Sequence, residues 1–338
     1  MCEWLRLKHF SFLPLGILLL LAGCSQTPNR VIDPLIETIY QAHGQQQIDP
    51  EYLNKQILKA QVIYLGETHD NPRHHELQAE ILHMLTQHKR LPAIGFEVFS
   101  IEQTPYLLNY IQTPSAPQVG PKAVSALNRL RQQLGWKEDD QQWVFYSSLL
   151  KIAKQYQLPV FGADLAPGIT RRLTRVGLQG LSALESELLY PSGFKNPDYR
   201  QLMHQKFTQS HCGWSQPELL AKLYDTWIAR NDAMAMAISV SLKDRSAQPV
   251  VMILGSGHVS NNMAVYERVA HLIPDVRQLN LGFVPVALTP RPVTEYLQPL
   301  TINDVTFPPE HEYIWFTQRV TYIDPCERFK TLLKKHPG

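Results

Sequence analysis

Four apolar runs in this 338-residue chain each end on a side chain able to move a proton or hold a metal. Val62-Ile63-Tyr64-Leu65 leads into Gly66-Glu67-Thr68-His69, and Ala93-Ile94-Gly95-Phe96 stops at Glu97. Pro159-Val160-Phe161-Gly162-Ala163 stops at Asp164, and Val250-Val251-Met252-Ile253-Leu254 leads into Gly255-Ser256-Gly257-His258. Two imidazoles with three carboxylates suit two chemistries. One is a histidine acting as general base steered by a carboxylate; the other is a two-histidine, carboxylate set around a divalent metal. His74 and His75 follow closely enough for one to join the set, although histidines in such a place are more often solvated surface. Each residue also has a plain structural reading, because polar groups must follow buried strands and glycine permits the turn into the next helix.

Short continuous apolar runs separated by helical stretches predict buried parallel strands with helices on both faces. Ligands of such open sheets bind outside the carboxyl ends of the strands. Side by side, the four runs would bring Glu67, His69, Glu97, Asp164 and His258 to one rim. The expected fold class is therefore α/β, a central, mainly parallel sheet flanked by helices. Asn71-Pro72 predicts a helix start, with Asn as N-cap and Pro at the first helical position, running to about His88. Another helix is expected from Trp143 to Tyr156. From Pro167 to about Leu242 no strand pattern occurs, which predicts a helical insertion ending in a long helix from Pro217. A helix is expected over Asn261–Ile273, and late strands over 278–287 and 312–319.

The local motifs exclude several familiar sites. Leu254 and His258 stand where a nucleophile elbow centred on Ser256 needs glycines. Ser260 replaces the third glycine of a dinucleotide fingerprint, and Gly66-Glu67-Thr68-His69 is not the HExxH zinc helix. The net charge of +2 leaves no nucleic-acid footprint. With 13 histidines and 14 tyrosines, residue type alone assigns no metal or cofactor ligand.

The first residues read as a processing signal. Arg6 and Lys8 precede an apolar segment, Phe12–Ala22, too short to span a bilayer as a mature helix. It ends in Leu21-Ala22-Gly23-Cys24-Ser25, the lipobox arrangement in which Cys24 is acylated and becomes the first residue. The mature chain is then expected to be anchored by lipid at a bacterial envelope. Ser25 resembles the second residue of lipoproteins sorted onward to an outer membrane. The expected organisation is a signal peptide over 1–23, a lipidated tether over 24–49, the α/β domain over 50–290 with its insertion at about 167–242, and an extension of unknown role over 291–338. Cys212 and Cys326 remain, and in an exported compartment they can pair, although sequence does not say that they meet.

Gly66-Glu67-Thr68-His69-Asp70-Asn71, Phe96-Glu97, Ala229-Arg230-Asn231-Asp232-Ala233-Met234-Ala235 and Gly255-Ser256-Gly257-His258 together resemble the ChaN-type haem-binding lipoproteins. Those proteins share a superfamily with the erythromycin esterases and the Tiki membrane proteases. The resemblance covers about residues 57–270. It implies haem uptake at the envelope, with two haems stacked face to face between two monomers and an outer-membrane haem receptor as a further partner. It also implies a tyrosine on each ferric iron, and a histidine and a lysine of the other monomer on the propionates. Tyr199, on an insertion helix with His204 and Lys206, is the first candidate ligand, and Tyr146 is its rival. Phenolate is a hard anionic oxygen suited to ferric haem. The wider superfamily implies an alternative, a hydrolase using Glu67, His69, Glu97, Arg230 and His258, with or without a divalent metal.

Overall fold

The continuous apolar runs form the middle of an eight-stranded sheet, seen in a computed structural model that describes residues 33–114, 125–213, 216–244 and 248–327. The signal segment and Cys24 lie outside the described residues. In chain order the strands are β1 (Ile39–Gln41), β2 (Gln46–Ile48), β3 (Val62–Glu67), β4 (Ala93–Ser100), β5 (Val160–Asp164), β6 (Val250–Gly255), β7 (Gln278–Pro285), β8 (Leu300–Ile302), β9 (Val305–Phe307) and β10 (Tyr313–Thr317). The large sheet has the order β2-β1-β10-β7-β3-β6-β4-β5, and β8 and β9 make a separate hairpin. From β10 to β5 every pairing is parallel, while β1 and β2 run antiparallel at one margin.

Two helical layers explain why the central strands carry no polar face. Ile63 and Leu65 of β3 pack with Leu77, Ile81 and Leu85 of helix Pro72–Gln87 and with Leu149 and Leu150 of helix Gln141–Gln155. Val62 and Tyr64, alternating with them, meet Met234 and Ile238 of helix Pro217–Asp244 and Val265 and Val269 of helix Val265–Leu272. The side-chain period of two thus feeds both layers. Asn71 caps its helix as its sequence predicts, its side chain accepting from the Arg73 amide.

Three expectations are corrected. The tether read over 24–49 is partly sheet, since β1 pairs with β10; its three-residue strands, rich in glutamine, carry too little apolar pattern to be read. The extension read over 291–338 supplies β10, inserted between β1 and β7, so it completes the sheet. The single helix expected over Asn261–Ile273 is broken: a short turn, Ser260–Asn262, precedes helix Val265–Leu272, and Asn261, Asn262 and Ala264 all have positive φ. The β8–β9 hairpin turns through Asn303 and Asp304, both at positive φ as a primed turn requires. It lays Ile302, Val305 and Phe307 on Tyr199, Leu202 and Met203 of insertion helix Pro197–Ser210. Cys212 and Cys326 are bridged, with Cα atoms 5.6 Å apart, tying the end of that helix to the C-terminal segment. Among the described residues no helix is long and apolar enough to cross a membrane.

Candidate functional site

The parallel order brings the ends of β3, β6, β4 and β5 together, and the residues at those ends form one bonded network. Glu67, almost fully buried, closes β3. Its Oε1 accepts from Nδ1 of His69 at 2.8 Å and from the Tyr146 hydroxyl, and its Oε2 accepts from Gln78. Burial works against this carboxylate, but hydrogen bonding by His69 and the nearby His75 outweigh it and hold its pKa below the usual range. With Nδ1–H committed to Glu67, the His69 lone pair lies on Nε2, 4.0 Å from Glu97. Burial lowers the His69 pKa, and the Glu67 hydrogen bond with the charge of Glu97 more than reverses this, so the imidazole is more basic than ordinary.

Glu97 holds the other half. Its Oε1 accepts from Arg230 at 2.7 Å and lies 3.1 Å from Nε2 of His258, and its Oε2 accepts from the Gly255 amide of β6. Arg230, on helix Pro217–Asp244, also donates from Nε to Asp164 at 2.8 Å, joining the end of β5. Burial alone would raise the Glu97 pKa; His258, hydrogen-bonded to it, and the Arg230 guanidinium drive it well below the usual range. His258 is buried, stacked on Trp227 with ring centroids 3.9 Å apart, and burial lowers its pKa. Its Nδ1 lies 2.6 Å from the Asn231 side chain, whose amide nitrogen has no partner as oriented. Turning that amide lets its nitrogen donate to Nδ1 while Nε2–H donates to Glu97, which satisfies a neutral imidazole completely.

An open cleft of about 750 Å³ stands over this network, lined by His69, Glu97, Asp164, Arg230, Trp136 and Arg171 among others. His258 and Glu67 lie beneath it. His74 and His75 are buried rather than solvated: His74 accepts from the Thr68 amide at 2.9 Å, and His75 Nε2 lies 3.0 Å from the His69 carbonyl. Both pin the Gly66–His69 turn, and burial pushes the His74 pKa down to about 3. Among the described residues no three His, Cys, Asp or Glu side chains are arranged as metal ligands. Gln78, Trp227 and Trp136 escaped the sequence reading. Asn231 stood in the Arg230-Asn231-Asp232 motif, which was the one available signal.

The candidate haem ligands lie elsewhere or face inward. Tyr146 is fully buried and donates to Glu67, and burial together with that carboxylate's charge raises its pKa far above the phenol range. Tyr199 is 1% exposed beneath Phe307, and its hydroxyl accepts from Trp227 Nε1 at 2.6 Å. Burial raises its pKa as well. Lys206 donates to Asn261 at 3.1 Å, and half-buried His204 meets the Tyr224 ring edge-on. As packed here, neither tyrosine presents its oxygen to a cleft wide enough for a porphyrin.

The Glu97 network gives stability a defined pH dependence. A pKa held below 4.5 contributes stability that is present above that value and lost as pH falls through the lowered one. Glu97→Gln should cost about 3 kcal/mol at neutral pH, by leaving Arg230 and His258 without their buried anion. The gap to wild type should narrow on acidification. Urea denaturation near neutral pH and below the ordinary carboxylate range checks both. Equal stability of the two proteins at neutral pH would show that the network does not hold the strand ends.

The family model described as haem-binding uptake, Tiki superfamily, ChaN matches residues 53–269. The fold is similar to that of ChaN of Campylobacter jejuni, a structure described as showing cofacial haem binding. That match has a TM-score of 0.58 at 17% identity and covers 82% of this chain and 95% of that one. An erythromycin esterase in its open conformation aligns with a TM-score of 0.43 at 13% identity, over 80% of this chain and 83% of the other. No curated protein matches by sequence. The family match spans well over half of the chain and takes in every residue of the strand-end network, so the chain belongs to the ChaN family of haem-binding uptake proteins in the Tiki superfamily.

Proposed function

We propose that this chain is a lipid-anchored envelope protein that binds ferric haem and pairs with a second copy around two stacked haems, serving haem uptake. The observation that carries the reading is the family match over 53–269, supported by the likeness to a ChaN structure described as binding haem cofacially. A haem with one axial phenolate keeps an open apolar face, and two such faces shield one another when stacked. One axial ligand also leaves the haem easy to pass to an outer-membrane receptor. Titrating haemin into the soluble domain while sizing it by light scattering tests this reading. Saturable binding with a doubling of mass is expected. Saturation at constant mass would remove the stacked dimer, and absence of binding would remove the haem reading.

Attachment rests on Leu21-Ala22-Gly23-Cys24 after an apolar segment. Cys24→Ala should move the protein from the membrane pool to the soluble fraction. A variant that stays in the membrane pool like the wild type would contradict lipidation at Cys24.

One observation favours a second reading, hydrolysis at the strand-end cleft. His69 lines that cleft, with Nδ1–H bound to Glu67 and its lone pair on Nε2. This is the arrangement of a general base held in its working tautomer. Nε2 would take a proton from water as the water oxygen attacks an ester carbonyl. The proton would then pass to the leaving alcohol as the C–O bond breaks. An ester and peptide screen of wild type and His69→Ala decides. Turnover lost by at least about a hundredfold in the variant would establish the reading. No turnover in the wild type would leave the network as scaffold.

A further inference from the structure

We propose that the strand-end cleft takes a carboxylate-bearing ester, with its reacting carbonyl beside His69 and its free carboxylate on the Arg171 guanidinium. The assignment rests on the second reading above, hydrolysis at this cleft, and names its substrate class.

The carboxylates that line the cleft are already partnered, and two of its cations are not. Glu97 accepts from Arg230 and the Gly255 amide, and Asp164 accepts from Arg230 and the Leu165 amide. Asp140 caps helix Gln141–Gln155 by accepting from the Gln142 amide. Arg171, on helix Pro167–Val176, and Lys137, next to Trp136, line the same cleft and are exposed at its mouth. Among the described residues neither side chain has an ion pair or a hydrogen bond. Satisfied anions below and unsatisfied cations above select an anionic ligand over a cationic one. A guanidinium meets a carboxylate through two parallel N–H donors, which fixes orientation as well as charge. Lys137 lacks that planar fork, so it adds charge to the mouth without fixing the carboxylate.

An apolar wall suits the chain that joins the two ends of such a substrate. Trp136 packs on Phe99 and Trp143 with ring centroids 6.2 and 6.0 Å away, and its carbonyl accepts from Arg131 at 3.1 Å. With Val98 and Leu134 it gives the cleft a fixed surface for a short methylene chain. At the floor, glycine keeps the reacting position open. A Cβ on Gly255 would stand 3.1 Å from Nε2 of His69 and 3.3 Å from Glu97, in the space that the ester carbonyl and its attacking water need. The step is hydrolysis, with nothing oxidised or reduced. Nε2 takes one proton from water as the water oxygen bonds to the carbonyl carbon. The C–O bond to the alcohol then breaks, that proton leaves on the alcohol oxygen, and the new acid carries the other proton of the water until it ionises. The second carboxylate takes no part in bond making; held by Arg171, it positions the ester.

The test is acid release, followed by pH-stat, from three esters of matched chain length: monoethyl adipate, its terminal amide, and the ammonium ester ethyl ε-aminohexanoate. The whole soluble domain is assayed as wild type, His69→Ala, Arg171→Ala, Arg171→Glu and Arg175→Ala. Wild type should show a kcat/KM for the carboxylate ester at least about tenfold above that for the amide, chiefly through KM. His69→Ala should lose turnover of all three. Arg171→Ala should remove most of the preference, and Arg171→Glu should transfer it to the ammonium ester. Arg175 is exposed one turn further along the same helix and outside the cleft lining, so Arg175→Ala should keep the preference. Equal kcat/KM for the three esters in the wild type, or a preference undiminished in Arg171→Ala, would overturn the substrate class and leave hydrolysis standing. A wild type that turns over none of the esters would overturn both.

Discussion

Burying the Glu97 carboxylate is the constraint on which the rest of the site depends. An ionised carboxylate taken out of water costs several kcal/mol unless partners return that energy. Glu97 finds them on three elements: the Gly255 amide of β6, His258 just beyond it, and Arg230 on the long helix of the insertion. Because Arg230 also grips Asp164, the ends of three parallel strands are fixed to one helix by a single charged group and its counter-ions. Glu67 repeats the device on β3, through Gln78, Tyr146 and His69. The floor of the cleft is therefore rigid, and His69 stands on it with one nitrogen committed.

Helix Pro217–Asp244 links that floor to an apolar groove beside β5. Arg230 and Asn231 face the network, and Met236, Ala237 and Val240, between one and three turns further on, line the apolar wall beside β5. One element thus serves two surfaces of opposite character, charged over the strand ends and apolar along the edge. Trp227 on the same helix joins His258, on which it stacks, to Tyr199, to which it donates. Tyr199 is in this way part of the structural support of the strand ends.

The central fold was legible because its strands are buried on both faces and so read as unbroken apolar runs. The rim was legible for the same reason, since each run stops at its first polar residue. The margin was not: β1 and β2 have three residues each, and the sequences Ile39-Tyr40-Gln41 and Gln46-Gln47-Ile48 carry no usable period. β10 showed as a strand, but no sequence signal placed it between β1 and β7. Its approach path is marked only afterwards, by Gly282, where a Cβ would run into the His311 ring. The break before helix Val265–Leu272 needs three residues at positive φ, and two of them, Asn261 and Asn262, are of the type that tolerates it. The groove was invisible because its walls come from helix Thr104–Gln112, β5 and helix Pro217–Asp244, far apart in the chain. Tyr199 and Tyr146 drew attention by their neighbours in sequence, whereas burial depends on packing that only the fold reveals.

The central claim is that the charged strand-end network supports the fold and is not itself the haem seat. Locating iron by anomalous diffraction in crystals of the haem-loaded protein tests this most directly. The account predicts iron bound outside the strand-end cleft, with the contacts of Glu67 to His69 and of Glu97 to Arg230 intact. Iron over the strand-end cleft, ligated by His69, would contradict it.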